Sequence, residues 1–183
     1  SRGLGDVYKR QIMHMAHDLD AGDIIAQAAT PIDPDETVVA LHDRLAVLGA
    51  ELLVNVVADI AAGTATRTPQ EHGKATLAPM LSRELSPMDW SRPARALHNQ
   101  VRGLVPWPAA VTELGGNRCK VFSASVLGAT TSAAPGTILA AGKEGIQVAC
   151  GGGTVLRIDE LQADGGKRMK AADYLRGHPI PVG

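Results

Sequence analysis

The chain has 183 residues, of which 45% are hydrophobic, and a formal net charge of −1. This length allows one substantial core or two smaller ones, and the composition excludes a disordered chain. No continuous apolar run approaches about 18 residues, and no signal pattern opens the sequence, so we expect a cytoplasmic protein without a membrane segment. Two cysteines exclude a disulfide framework, and we expect Cys119 and Cys150 to be free, buried thiols. No Cys and His spacing suggests a metal site.

Charge is unevenly divided along the chain. Residues 1–81 contain 6 Lys and Arg against 11 Asp and Glu, a net charge of −5, and residues 82–183 contain 12 against 8, a net charge of +4. A basic half can bind phosphates even when the whole protein is slightly acidic. A random distribution of solvated charges would give the same imbalance, so charge alone leaves both interpretations open.

The first predicted element is a strand over residues 12–15, followed by a loop that contains three carboxylates and a glycine: Asp18, Asp20, Gly22 and Asp23. Acidic loops after strands bind divalent metals, act as general acids or bases, or cap the next element. Taken alone, the residues favour capping or solvated charge.

A second strand is predicted over residues 24–28, and a helix follows it. Its apolar residues recur every three or four positions: Val38, Leu41, Leu45, Leu48, Leu52, Val56 and Ile60. The pattern predicts one long helix or two short ones broken at Gly49. Asp35 or Thr37 is the expected cap, and Gly63 is the expected end. Strand, acidic loop, strand and helix together indicate an α/β fold.

Residues 64–86 lose the apolar period and are predicted to be a linker between two domains. A short helix follows, capped by Ser91 and ended by Pro106-Trp107-Pro108. Five short strands are then predicted at residues 109–114, 118–127, 136–141, 145–150 and 154–161, with a last helix at 171–176. Five strands and an accessory helix suggest a small barrel of the oligonucleotide-binding (OB) type, and a sandwich fits nearly as well.

Six sequence blocks, in order and at similar spacing, resemble the methionyl-tRNA formyltransferase family. They are Ile12 to Met15 with Leu19-Asp20-Ala21-Gly22-Asp23, Asp89-Trp90, Arg102 with Val105-Pro106-Trp107-Pro108, Ala134-Pro135-Gly136-Thr137-Ile138, Gly145 to Ala149, and Leu161-Gln162 with Gly166-Lys167-Arg168-Met169. The resemblance implies the end of a Rossmann-like formyltransferase domain (residues 12–63), the linker (64–86) and an OB-like tRNA-binding domain (87–183).

The resemblance also implies a reaction, the transfer of a formyl group from 10-formyltetrahydrofolate to the amino group of initiator methionyl-tRNA. Asp20 matches the family's catalytic Asp, which orients and charges a His. Asp18, Leu19 and Gly22 match the loop that meets the folate, mainly through backbone groups. Asp23 is expected to be a turn or helix partner rather than a second catalyst.

Phosphate contacts are expected from basic residues of the second domain: Arg83, Arg92, Arg95, Arg102, Lys120, Lys167, Arg168 and Lys170. Trp90 and Trp107 could stack on a base, although their expected role is to anchor the linker, helix and barrel. The expected partner is initiator methionyl-tRNA, bound by a monomer without a membrane.

The resemblance fails in residues 1–11, which we expect to be an unpaired, non-native leader. The family's Asn-x-His motif does not occur in the 183 residues. The chain is therefore expected to lack the upstream half of the catalytic domain and to be inactive alone. The alternatives are an amino-sugar formyltransferase, the folate-hydrolysing part of a formyltetrahydrofolate dehydrogenase, or a non-catalytic nucleic-acid-binding module.

Overall fold

The computed structural model describes residues 7–183, with side chains from Lys9 onward. Backbone contacts divide the chain into two compact units, with the division between Met80 and Leu81. This division falls inside the predicted linker. The linker is not free of contacts, however, because Thr68 exchanges two backbone hydrogen bonds with Ile24, at 2.8 and 2.9 Å.

The first unit contains a two-stranded antiparallel sheet of β1 (Val7–Met13) and β2 (Ile24–Pro31). The register places Val7 opposite Pro31 and Met13 opposite Ile24. The expectation that the leader stays unpaired is therefore wrong from Val7 onward. The sequence of β1 lacks the alternating apolar face that is typical of a strand, and this suggests an unpaired leader. Backbone hydrogen bonds between strands form without such a face. Residues 1–6 lie outside the described part.

One continuous helix, α1 (Val38–Ala62), follows β2 and passes through Gly49 without a break. Thr37 is the N-cap, since its Oγ1 accepts a hydrogen bond from the amide of Ala40 at 3.3 Å. Gly63 ends the helix in the left-handed conformation, with φ of 72°. Gly49 serves packing, because a Cβ atom there would lie 2.9 Å from Nε of Arg10.

The apolar pattern of α1 is only partly buried. Leu45 and Val56 are buried, whereas an extended set of large apolar side chains is exposed: Val39, Val47, Leu53, Val54, Val57 and Ile60. By length and composition, the helix is long and apolar enough to cross a membrane. An 18-residue stretch of it has a mean hydropathy of 1.9, and 17% of that stretch is buried. This finding is one of length and composition alone. Core helices of α/β proteins meet the same criterion.

The second unit is built from α2 (Ala94–Leu104), a six-stranded antiparallel sheet and α3 (Ala171–Leu175). Its strands are β3 (Ala110–Leu114), β4 (Asn117–Thr130), β5 (Ile138–Gly142), β6 (Gly145–Ala149), β7 (Thr154–Ala163) and β8 (Met169–Lys170). The five predicted strands are confirmed, and β8 was not predicted. The order is β3-β4-β7-β6-β5, with β8 on β7, and no pairing in the described residues joins β5 to β3 to close a barrel.

Helix α2 contributes Leu97 and Val101 to the core of this unit, together with Cys119 and Cys150. Both cysteines are buried free thiols, as predicted, and burial raises their pKa values. Ser91 is not the helix cap. Pro93 occupies the N-cap position, and the amide of Ala94 donates instead to Oγ1 of Thr154 at 2.8 Å.

Candidate functional site

The predicted acidic loop connects β1 to β2 and is closed at its base. The amide of His14 donates to the carbonyl of Asp23 at 2.9 Å. A Cβ atom on Gly22 would lie 1.7 Å from the carbonyl oxygen of His14, so only glycine fits between the two sides of the loop. Gly22 therefore shapes the loop, and its lack of a side chain is what allows the close approach.

Gln70 holds the loop from the side. Its Nε2 donates to the carbonyl of Asp20 at 2.8 Å and to the carbonyl of Gly22 at 2.7 Å. No sequence signal points to Gln70, because it lies in the segment without an apolar period that is predicted to be a linker. No local pattern signals a contact between residues 48 to 50 positions apart.

The loop brings the predicted folate-site residues together at its tip. The side chains of Asp18, Leu19 and Asp20 are all exposed, Leu19 to 98%. Asp20 has a positive φ of 54°, a left-handed conformation that is uncommon outside glycine and asparagine or aspartate. The carboxylate that the resemblance places in catalysis thus stands at the accessible tip of a loop whose base and flank are fixed.

Asp23 differs from Asp20 in its surroundings. Its backbone carbonyl closes the loop, and its carboxylate lies 3.8 Å from Nε of Arg67 in an exposed ion pair. Both contacts fit the predicted role of turn partner. Among the described residues, no group of three or more His, Cys, Asp or Glu side chains is placed to hold a metal ion.

The predicted phosphate-binding residues lie on different elements of the second unit. Arg83 lies in a short 3-10 turn, Arg92 precedes α2, and Arg95 and Arg102 lie on α2. The other four lie on or beside the sheet, at β4, β8 and the loop before β8: Lys120, Lys167, Arg168 and Lys170. We call the first four residues the helix group and the last four the sheet group.

Within the sheet group, one residue is already paired. Both Nε and Nη2 of Arg168 donate to the Glu160 carboxylate, and its guanidinium lies 4.8 Å from the ring centroid of Phe122. Lys120 is exposed on β4 between the buried Cys119 and Val121, and therefore points away from the core. The side chain of Lys170 on β8 is likewise exposed.

The two tryptophans have different environments. The indole Nε1 of Trp90 donates to Oγ1 of Thr112 at 3.0 Å, and the half-buried ring acts as the predicted anchor. Trp107 is 54% exposed, which corrects its assignment as an anchor. Beside Trp90, the Asp89 carboxylate accepts hydrogen bonds from the hydroxyl and amide of Ser91, which lower the pKa of that carboxyl.

Curated proteins similar to this chain match it along nearly its whole length. It is 45% identical to the methionyl-tRNA formyltransferase of Bacillus subtilis over 172 residues, which cover 94% of this chain and 54% of that protein. It is 46% identical to that of Trichlorobacter lovleyi over 166 residues, covering 90% of this chain and 51% of the relative. The chain therefore spans about half the length of the curated relatives it matches.

Structural comparison supports the same fold. The structure of HypX from Aquifex aeolicus in complex with tetrahydrofolic acid matches with a TM-score of 0.71 at 17% identity, over 97% of this chain and 31% of that one. The family model for formyl transferase matches residues 9–57, and the model for the formyl transferase C-terminal domain matches residues 80–179. The second match alone includes more than half of the sequence, and the chain belongs to the formyl transferase family.

Proposed function

We propose that this chain contributes the Asp20 loop and the tRNA-binding domain of a methionyl-tRNA formyltransferase. The reaction transfers a formyl group from 10-formyltetrahydrofolate to the amino group of initiator methionyl-tRNA. The observation that supports this most strongly is 45% identity to a methionyl-tRNA formyltransferase across both units. The exposed carboxylate of Asp20, on a backbone that Gln70 holds, is the chemical feature that the proposal uses.

In this reaction the amine attacks the formyl carbon, a tetrahedral oxyanion forms, and a proton passes from the new ammonium to the departing folate nitrogen. Asp20 orients a histidine and favours its imidazolium form, because a nearby negative charge stabilises a positive one. A carboxylate cannot itself stabilise an oxyanion. The 183 residues contain no Asn-x-His. We propose that the Asn and His come from the other half of the enzyme.

The loop tip suits a folate ring that is bound through backbone groups. Within the described residues, no backbone hydrogen bond of the loop uses Asp18 or Leu19. Their peptide groups are therefore open to donors and acceptors of a bound ring, while Gly22 keeps the loop narrow. We propose that Asp18, Leu19 and Gly22 form this part of the folate site, without a metal.

The exposed apolar face of α1 has a place in the same proposal. In a complete formyltransferase domain, we expect it to pack against the part of the domain that this chain does not supply, because burial of large apolar side chains is favourable. This covered face would make α1 a core helix. We propose that the enzyme is a cytoplasmic monomer in which α1 is a core helix and not a membrane segment.

We propose that the second unit binds tRNA through the helix and sheet groups of basic residues. We propose an OB-like arrangement for this unit, in which one face of the antiparallel sheet binds nucleic acid, on the basis of its match to the formyl transferase C-terminal domain. Because the contacts are mainly to phosphates, binding is weak and nearly independent of sequence.

The proposal is tested by supplying the chain with the N-terminal half of a methionyl-tRNA formyltransferase, as a fusion or as a second polypeptide. Formyl transfer from 10-formyltetrahydrofolate to methionyl-tRNA is then compared with transfer to a nucleotide-linked amino sugar. We expect methionyl-tRNA to be formylated and the sugar not. Preference for the sugar would support the amino-sugar alternative, and tRNA binding without any transfer would support a non-catalytic module.

A further inference from the structure

The segment that follows α1 lies along β2 like a short extra strand. Thr68 forms two backbone hydrogen bonds with Ile24, and Oγ1 of Thr66 donates to the carbonyl of Ile25 at 3.1 Å. Two residues later the segment reaches the acidic loop, where the side chain of Gln70 is half-buried. The contacts of this segment with β2 therefore place Gln70 beside the loop.

The two contacts of Gln70 determine the orientation of its amide. The carbonyl oxygens of Asp20 and Gly22 can only accept hydrogen bonds, so Nε2 must face both, and its two hydrogens are both used. The side chain also brings Nε2 to 3.9 Å from the sulfur of Met13, at the end of β1. One side-chain amide thus connects three positions of the loop and its base.

Asp20 needs such support because of its backbone. A non-glycine residue with φ of 54° is in a sparsely populated conformation that persists when its surroundings enforce it. The hydrogen bond from Gln70 is to the carbonyl of this same residue, and the second bond fixes the carbonyl two positions later. The carboxylate of Asp20 has no such restraint of its own at the exposed tip.

We propose that Gln70 is a positioning residue for formyl transfer, which holds the left-handed backbone of Asp20 and so fixes where its carboxylate stands. This inference rests on the proposed function for its catalytic part. Its structural part concerns the loop alone and is measurable in this chain without substrate. The two parts can therefore fail separately.

The first test is hydrogen exchange of the loop amides in the 183-residue chain. Gln70→Met keeps the length of the side chain and removes both donors. We expect the amide of His14, which donates to Asp23, to exchange about tenfold faster than in the unchanged chain, since two hydrogen bonds that restrain the loop are lost. Unchanged exchange would overturn the proposal.

Two control variants separate a local from a general effect. Gln162→Met removes a similar bond, from Nε2 to the carbonyl of Gly166 at 2.8 Å, in the second unit and should leave loop exchange unchanged. Thr66→Val loosens the docked segment without touching the loop. If Thr66→Val and Gln70→Met accelerate exchange equally, Gln70 acts only by docking the segment, and the positioning role is wrong.

The second test is kinetic and uses the chain supplied with the N-terminal half of the enzyme. We expect Gln70→Met to lower kcat about tenfold with little change in KM for folate or tRNA, as a misplaced catalytic group does. Gln70→Lys, which restores a donor, should recover part of the loss. A normal kcat despite faster loop exchange would overturn the positioning role. If the completed enzyme with Gln70 intact transfers no formyl group, the proposed function is contradicted instead.

Discussion

The carbonyl oxygen of His14 lies where the first side-chain carbon of any residue other than glycine at position 22 would have to be, 1.7 Å from the ideal Cβ position. Because the obstacle is backbone, it cannot move aside as a flexible side chain would. Gly22→Ala must therefore open the loop between β1 and β2.

We expect Gly22→Ala to destabilise the chain by roughly 2–3 kcal/mol, the cost of forcing an atom into a filled position. Denaturant unfolding of the whole chain measures it. Gly73→Ala is the matched control in the same unit, since a Cβ atom there meets nothing within 4 Å. Equal stability of the two variants would show that the loop is not closed at His14.

The sequence predicted the elements of this protein better than the contacts between them. The apolar period of α1 and Gly63 at its end are local signals, and both predictions are confirmed. Of the two expected caps, Asp35 and Thr37, the structure has Thr37, and of one helix or two it has one. The strands of the second unit were also found from alternation and glycine turns. These features depend on neighbours within a few positions.

The failures have a common physical cause. The pairing of Val7 to Gln11 with β2, and the bonds from Gln70 to the loop, depend on partners far along the chain. Hydrogen bonds between the backbones of two strands require no periodic pattern of side chains. A single glutamine forms no recognisable sequence motif. Arg168 could be recognised as basic, but its pairing with Glu160 could not be read from spacing.

Salt dependence distinguishes the basic residues of the sheet group. We expect tRNA affinity of the chain to fall steeply as salt rises, because each neutralised phosphate releases counterions. Lys120→Gln and Lys170→Gln should each reduce the slope of log affinity against log salt by about 1. Arg168→Gln should reduce it less, because Glu160 already pairs with that guanidinium.

Lys74→Gln serves as the control for this series, since Lys74 lies in the first unit and its Nζ is 2.6 Å from the Glu71 carboxylate. A filter-binding titration at several salt concentrations is sufficient. Affinity that does not change with salt would mean that the basic residues are only a solvated surface.

The two cysteines predict a pH dependence of stability. Burial raises the pKa values of Cys119 and Cys150, so the unfolded chain loses its thiol protons at lower pH than the folded one. The contribution of these protonated thiols to stability is therefore full below the ordinary thiol pKa and declines as pH rises through it. Denaturant unfolding at increasing alkaline pH measures this decline.

Changing Cys119→Ala together with Cys150→Ala should flatten this part of the pH profile. At neutral pH, a thiol reagent should label the folded chain at least about 100-fold more slowly than the unfolded chain, since labelling requires opening of the core. Rapid labelling of the folded chain would contradict the burial of both side chains.

We propose that Asp20 belongs to a formyl-transfer site completed by groups from outside these 183 residues. The most direct measurement is the rate of formyl transfer to methionyl-tRNA by the chain alone, and by the chain supplied with the N-terminal half of the enzyme, each with Asp20 or Asp20→Asn. We expect no transfer by the chain alone and transfer by the completed enzyme. Asp20→Asn should then lower turnover by about 10²-fold or more with little change in folate or tRNA binding, whereas Asp43→Asn, an exposed carboxylate on α1, should not. Near-normal turnover of Asp20→Asn, or transfer by the chain alone, would contradict this account.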